Sequence, residues 1–192
     1  MDAFLSSFTA VAVAEIGDKT QLLSLFLAAR FRAKGAIIAG ILAATLLNHA
    51  ASAWLGVWVA QFIPSGWHNL LLGASFIAVA LWLLIPDKDD SGETSVLRFG
   101  AFAASCLLFF LAEIGDKTQI ATVILAASFE QAVWWVIVGT TLGMLAANVP
   151  VVYAGSWLLQ KISLHWARRA ACALFIVLGL YIIYSDQIAV PG

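Results

Sequence analysis

The sequence predicts an all-α membrane protein of six transmembrane helices, arranged as two inverted three-helix repeats. Three observations carry this. The chain has 192 residues, of which 62% are apolar and only 11% charged, against about 25% charged residues in a soluble domain. One octapeptide, AEIGDKTQ, occurs twice, at residues 14–21 and 112–119. The Lys and Arg residues outside those two copies all fall on one side of a six-span chain.

A spanning helix needs about 20 apolar residues, so six of them use most of the chain and leave no soluble domain. The first span runs over residues 3–29 and holds the first octapeptide; Arg30, Arg32 and Lys34 follow as a short basic loop. The second covers residues 35–62. The turn at Ile63, Pro64, Ser65 and Gly66 leads to a third span over residues 67–85. The polar stretch PDKDDSGETSVL, from Pro86 to Leu97, joins two halves. A fourth span over residues 99–127 holds the second octapeptide. Ser128, Phe129, Glu130 and Gln131 form a tight loop, residues 132–159 a fifth span, and residues 161–169 a basic segment before a sixth span that ends near Tyr184. Residues 1–86 thus form the first repeat, 87–97 a cytoplasmic linker, and 98–192 the second repeat. The N-terminus lacks the basic region of a cleavable signal.

The halves align beyond the octapeptide. Asn48 in span two matches Asn148 in span five, and Phe76-Ile77 matches Phe175-Ile176. A unit with an odd number of spans must be inverted when it is repeated, an arrangement shared by many secondary transporters with a site at mid-membrane. Charge tests this topology. Arg30, Arg32, Lys34, Lys88, Arg98, Lys161, Arg168 and Arg169 share one side, which the positive-inside rule makes cytoplasmic. Both termini then face out. The opposite loops carry no Lys or Arg.

Charge inside a bilayer costs roughly 2.5–3.5 kcal/mol per group on insertion scales and marks a pathway or site. On a helix Glu15 and Asp18 share a face, which Gln21 continues; Glu113, Asp116 and Gln119 repeat the pattern. The pseudo-two-fold brings both faces together, gathering four carboxylates, two amides and the hydroxyls of Thr20 and Thr118. Gly17 and Gly115 weaken the helix between the acids, and unwinding there would release backbone carbonyls as further ligands. These hard oxygen donors suit calcium, magnesium or manganese. Lys19 and Lys117 leave the site with a net −2, which one divalent cation balances. The same carboxylates can carry protons instead, the simplest basis for exchange.

The remaining features read more plainly. Asn48 and Asn148 either bond helix to helix or position the acids. Gly40, Ala44 and Asn48 on span two, and Gly139, Gly143 and Ala147 on span five, form small-residue stripes for close packing. His49 is the one histidine candidate inside the membrane, and no histidine stands opposite it in the second repeat; His68 and His165 lie near span ends. Trp54, Trp58, Trp67, Trp134, Trp135 and Trp166 read as an aromatic belt. Cys106 and Cys172 read as small buried hydrophobes with no metal spacing. Cys106 lies about 10 Å along the helix from Glu113, too far to share its ligand sphere. A net charge of −1 suggests no nucleic-acid partner.

The doubled E-x-G-D-K-T resembles the signature of a family of small membrane proteins defined by two E-x-G-D-K/R-T/S motifs, which includes Golgi calcium/manganese transporters, chloroplast manganese transporters and bacterial manganese exporters. Both copies match at every position, and the likeness covers essentially the whole chain. It implies divalent-cation transport, Mn²⁺ or Ca²⁺, in exchange for protons, with the metal as substrate and no cofactor. It carries the ion-binding role to Glu15, Asp18, Glu113 and Asp116, with Gln21 and Gln119 completing the ligands and Lys19, Lys117, Thr20, Thr118, Asn48, Asn148, Gly17 and Gly115 in support. The short chain points to the inner membrane of a bacterium. A homo-oligomer stays open. Two rival readings are an exporter of a small organic cation or amino acid, and an intramembrane enzyme using an acidic pair. An enzyme needs one asymmetric site, whereas this chain duplicates one motif.

Overall fold

The computed structural model of the chain describes residues 2–85, 94–155 and 164–188, and is all-helical over them. Eight α-helices follow in order: α1 (Ala3–Ala14), α2 (Lys19–Arg30), α3 (Lys34–Ala60), α4 (His68–Leu83), α5 (Gly100–Glu113), α6 (Lys117–Ser128), α7 (Val133–Ala154) and α8 (Leu164–Ile188). Short 3₁₀ turns at Ser65–Trp67, Thr94–Phe99 and Glu130–Ala132 precede α4, α5 and α7. Most of the polar joint between the halves, and the start of the basic segment at residues 161–163, lie outside the described residues; the rest of that segment opens α8.

The two stretches read as single spans through the octapeptides are each broken. Apolar sequence drives helix up to Glu15 and Glu113; there the chain turns and restarts at Lys19 and Lys117. The turn needs a left-handed residue, and glycine supplies it: φ is +83° at Gly17 and +74° at Gly115, a region that costs other residues roughly 1–2 kcal/mol. Three continuous segments, Lys34–Ala60, Val96–Glu113 and Glu130–Ala154, are long and apolar enough to cross a membrane. Ala3–Ala14, His68–Leu83 and Arg169–Tyr184 are apolar but shorter.

The halves interlock. α1 packs on α7 and α5 packs on α3, so each broken helix lies against the long helix of the other half. The small-residue stripes make these contacts. A Cβ on Gly139 or Gly143 would stand 2.7 or 2.6 Å from the carbonyl oxygens of Phe4 and Phe8, and one on Gly40 2.5 Å from that of Phe102. α4 and α8 pair with each other around Phe76 and Phe175, whose rings lie 5.8 Å apart.

Two apolar cores result. One, around Phe76, Leu125 and Phe175, joins α1, α4, α6 and α8 with the end of α3 and the start of α7. The other, around Leu27, Ile41 and Phe109, joins α2, α5, the start of α3 and the end of α7. Lys34 ties the ends of α3 and α7 together, its ammonium donating to the Tyr153 carbonyl and lying over that ring. The outer surface is apolar: Trp54, Trp58, Trp67, Trp134, Trp135 and Trp166 are all half or more exposed. Such a surface suits lipid rather than water. Cys172 is buried as expected, and Cys106 is half-buried.

Candidate cation site

The two helix breaks meet between the cores. Carboxylate oxygens of Glu15, Glu113 and Asp116 lie within 4.8 Å of one another, and all three residues are buried. A hard cation holds its ligands at about 2.3–2.6 Å, so the ligands of one ion stand no more than about 5 Å apart. The trio has that size. Asp18 is placed at the same helix break but outside the trio, so three of the four expected carboxylates are gathered.

Asp18 and Asp116 each occupy the N-cap position of the helix that restarts, in extended backbone, yet neither side chain caps it. The glutamines instead brace the turn just before each restarted helix. The Gly17 N–H donates to Gln21 Oε1 at 2.8 Å, and the Gly115 N–H to Gln119 Oε1 at 2.6 Å. Gln21 also donates from Nε2 to the Ala147 carbonyl. In this conformation both amide oxygens, expected as ligands, are engaged with backbone. The sequence signal was present: Asp followed three residues later by Gln at a helix start is a variant of the capping box. Freed of capping, the aspartates sit at the positive ends of α2 and α6, where negative charge is favoured.

The identical octapeptides hold different bonds. Thr20 Oγ1 donates to Glu15 Oε2 at 2.5 Å, and Thr118 Oγ1 crosses from the other half to Glu15 Oε1. Glu113 receives neither hydroxyl; both its oxygens are buried with no hydrogen-bond partner among the described residues. Lys19 Nζ lies 3.1 Å from Asp116 Oδ1, an ion pair between halves. Lys117 Nζ donates instead to the Ile85 carbonyl beyond α4, at 2.7 Å.

Asn148 accepts from Ser24 Oγ at 2.8 Å and donates to the Met144 carbonyl, while Asn48 donates to the Phe110 carbonyl. Both therefore tie long helices to broken ones in this conformation, the first of the two roles the sequence left open. Ser24 was missed, because a lone serine in an apolar helix carries no distinguishing signal. His49 is buried beside Asn48, and neither ring nitrogen has a hydrogen-bond partner among the described residues.

Comparison with known proteins places this arrangement. The family model described as "Divalent cation/proton antiporter GDT1" matches residues 3–91 and 101–189. The chain belongs to the GDT1 family. It is 54% identical over 180 residues to a Vibrio cholerae protein named "Putative manganese exporter", a match covering 94% of this chain and 90% of that protein. It is 30% identical to GDT1-like protein 3 of Oryza sativa, covering 91% of this chain and 71% of the relative. A Synechocystis GDT1-like protein is 29% identical, with 85% and 87% covered. No solved structure matches. The resemblance read from the doubled motif is therefore correct, and the family is one of antiporters and not of enzymes, with the metal as substrate rather than cofactor. The organic-substrate and enzyme readings are set aside.

The break itself is testable. Gly17→Ala should cost about 1–2 kcal/mol by forcing a side chain into left-handed backbone. A lowered thermal midpoint of the purified protein would show it; an unchanged or raised midpoint would mean that residue 17 sits in ordinary helix.

Proposed function

We propose that this protein exports Mn²⁺ in exchange for protons across the inner membrane of a bacterium. The observation that carries the reading is the buried trio of Glu15, Glu113 and Asp116, with no hydrogen-bond donor to Glu113 among the described residues. A buried carboxylate without a partner is costly. It calls for a cation or a proton, and these are the two substrates of the family. Manganese is favoured over other divalent ions by the name of the Vibrio cholerae relative. Calcium remains the second reading, because an oxygen-only site accepts both ions.

The six-span inverted repeat is part of this proposal. α1 with α2, and α5 with α6, each make one interrupted span, and broken helices at mid-membrane are a feature of transporters with inverted repeats. Arg30, Arg32, Lys34 and Arg98 lie near the end where α3 starts and α7 finishes. The positive-inside rule makes that end cytoplasmic and puts both termini outside. Glu15, Glu113 and Asp116 bind the ion, Asp18 joins them as the site rearranges, and Gln21 and Gln119 hold the breaks open. Lys19 occupies Asp116 when the metal has left. Moving a 2+ ion out against about 100 mV costs about 4.6 kcal/mol, which inward proton flow supplies.

Purified protein in liposomes with an imposed pH gradient tests this. Proton-driven Mn²⁺ flux is expected. Strong Ca²⁺ flux with little Mn²⁺ flux would keep the mechanism and change the substrate; no flux of either ion in folded protein would sink the reading.

A further inference from the structure

The transport reading requires the buried trio to open to each side in turn, and the packing indicates which part moves. Inverted repeats that were symmetric in space would pack α4 on α6 just as α8 on α2, and α8 on α1 just as α4 on α5. Here α4 lies against α6 and α8 against α1, with no comparable packing of α4 on α5 or α8 on α2 among the described residues. Both occupied partners belong to the core at the end that carries the Ser65–Trp67 and Glu130–Ala132 turns.

The seams differ in kind. α4 and α8 are welded to each other: a Cβ on Gly73 would stand 2.5 Å from the Gly179 carbonyl oxygen, and one on Gly179 2.6 Å from that of Gly73. Similar backbone contacts at Gly40, Gly56, Gly139 and Gly143 weld α3 to α5 and α6, and α7 to α1. No glycine contact of this kind joins the α4–α8 pair to the rest among the described residues. Instead a cavity of about 130 Å³, lined by Asn69, Leu72, Leu125, Ser128, Phe129 and Tyr181, lies between α4, α6 and α8. Unfilled space forfeits dispersion contact and marks the weaker seam. At its rim His68 Nε2 and Glu130 Oε1 lie 3.3 Å apart, within ion-pair distance but without a hydrogen bond, and both side chains are partly exposed. Exposed pairs of this sort contribute little and open readily.

We propose that α4 and α8 move as one rigid gate over the other described helices, closed in this structure against α6 and α1, and open when the pair swings toward α5 and α2. Lys117 links gate to site, because its ammonium reaches from the second motif to the Ile85 carbonyl at the far end of α4. Its counterpart Lys19 holds Asp116 instead. When the gate swings, the two lysines exchange roles: Lys19 turns to the end of α8, and Lys117 returns to the carboxylates. Ion occupancy thereby biases gate position. This inference rests on the transport reading for its purpose but not for its test.

The experiment bridges cysteines with a reducible bifunctional methanethiosulfonate, in a background carrying Cys106→Ala and Cys172→Ala. Bridging His68→Cys to Glu130→Cys should lower Mn²⁺ flux in liposomes by about tenfold or more, as expected when a gate is held shut, and reduction should restore it. Bridging Asn69→Cys to Tyr181→Cys, within the pair, should leave flux unchanged. Full flux with the first bridge, or loss with the second, overturns the proposal. Spin labels give a readout independent of transport. Labels at 68 and 130 should show two distances whose weights shift with Mn²⁺ and pH, and labels at 69 and 181 only one. A single short distance for 68 and 130 under every condition overturns the gate even if metal is transported. Two distances in a protein that moves no metal would keep the gate and remove the transport reading.

Discussion

Glu113→Gln should abolish proton-driven metal flux and yet make the metal-free protein no less stable. Glu113 sits buried with two oxygens that no described group bonds. An amide of the same shape breaks no hydrogen bond made by a described group, so the thermal midpoint should hold or rise. It also removes an ion ligand and a proton carrier. Changes to groups that merely support a metal ligand already cost 10–100-fold, so loss of the ligand itself should lower flux by about 100-fold or more. Glu15→Gln should abolish flux equally but lower the midpoint. Glu15 accepts from both Thr20 and Thr118, and a neutral amide in its place weakens two charge-assisted hydrogen bonds, a loss of about 1–3 kcal/mol. The two residues stand at the same place in identical octapeptides. Opposite stability effects would therefore report the asymmetry of the folded site, and equal effects would falsify it. Flux in liposomes and a thermal melt of each variant decide the matter.

That contrast also marks the limit of what the sequence could say. The site's location was legible because charge inside an apolar run is too costly to be incidental, and the doubling told where its second half lies. The helix breaks were only hinted at: Gly17 and Gly115 weaken a helix, and between the acids they are the residues that tolerate the positive φ of each turn. The stripes of Gly40 and of Gly139 with Gly143 predicted close helix contacts, and the structure places a backbone carbonyl against each. What pattern could not decide is which copy does what. Identical strings carry no information on whether Thr118 serves Glu113, five residues before it, or Glu15 across the interface. The folded chain is asymmetric elsewhere too: Lys117 donates to the Ile85 carbonyl, while Lys19 pairs with Asp116. The glutamines show a simpler limit. Their face on a continuous helix points at the site, but once the helix breaks they brace the turn, and an amide so engaged is spent on backbone.

Lys19→Met should destabilise the metal-free protein and tighten its hold on the ion. Asp116 is only 5% exposed, and Lys19 is its ion-pair partner at 3.1 Å. Removing one member of a buried pair leaves the other uncompensated, at about 3–5 kcal/mol; because Lys19 is partly exposed, the lower end of that range applies. The ion feels the opposite effect. Lys19 neutralises one of the three gathered carboxylates and repels a divalent cation placed among them. At 5 Å and an effective dielectric of 20, a 2+ and a 1+ charge repel by roughly 7 kcal/mol, and solvent at the half-buried ammonium takes much of that away. A gain in affinity of about tenfold or more is what remains. Binding to the folded state alone raises stability in proportion to the logarithm of ligand over dissociation constant, so added Mn²⁺ should raise the variant's thermal midpoint further than the wild type's. Transport should nevertheless slow, since an ion that no ammonium displaces leaves late. If the variant binds Mn²⁺ more weakly than the wild type, Lys19 is a brace for Asp116 and not a stand-in for the ion, and the exchange of lysines between site and gate loses its driving force.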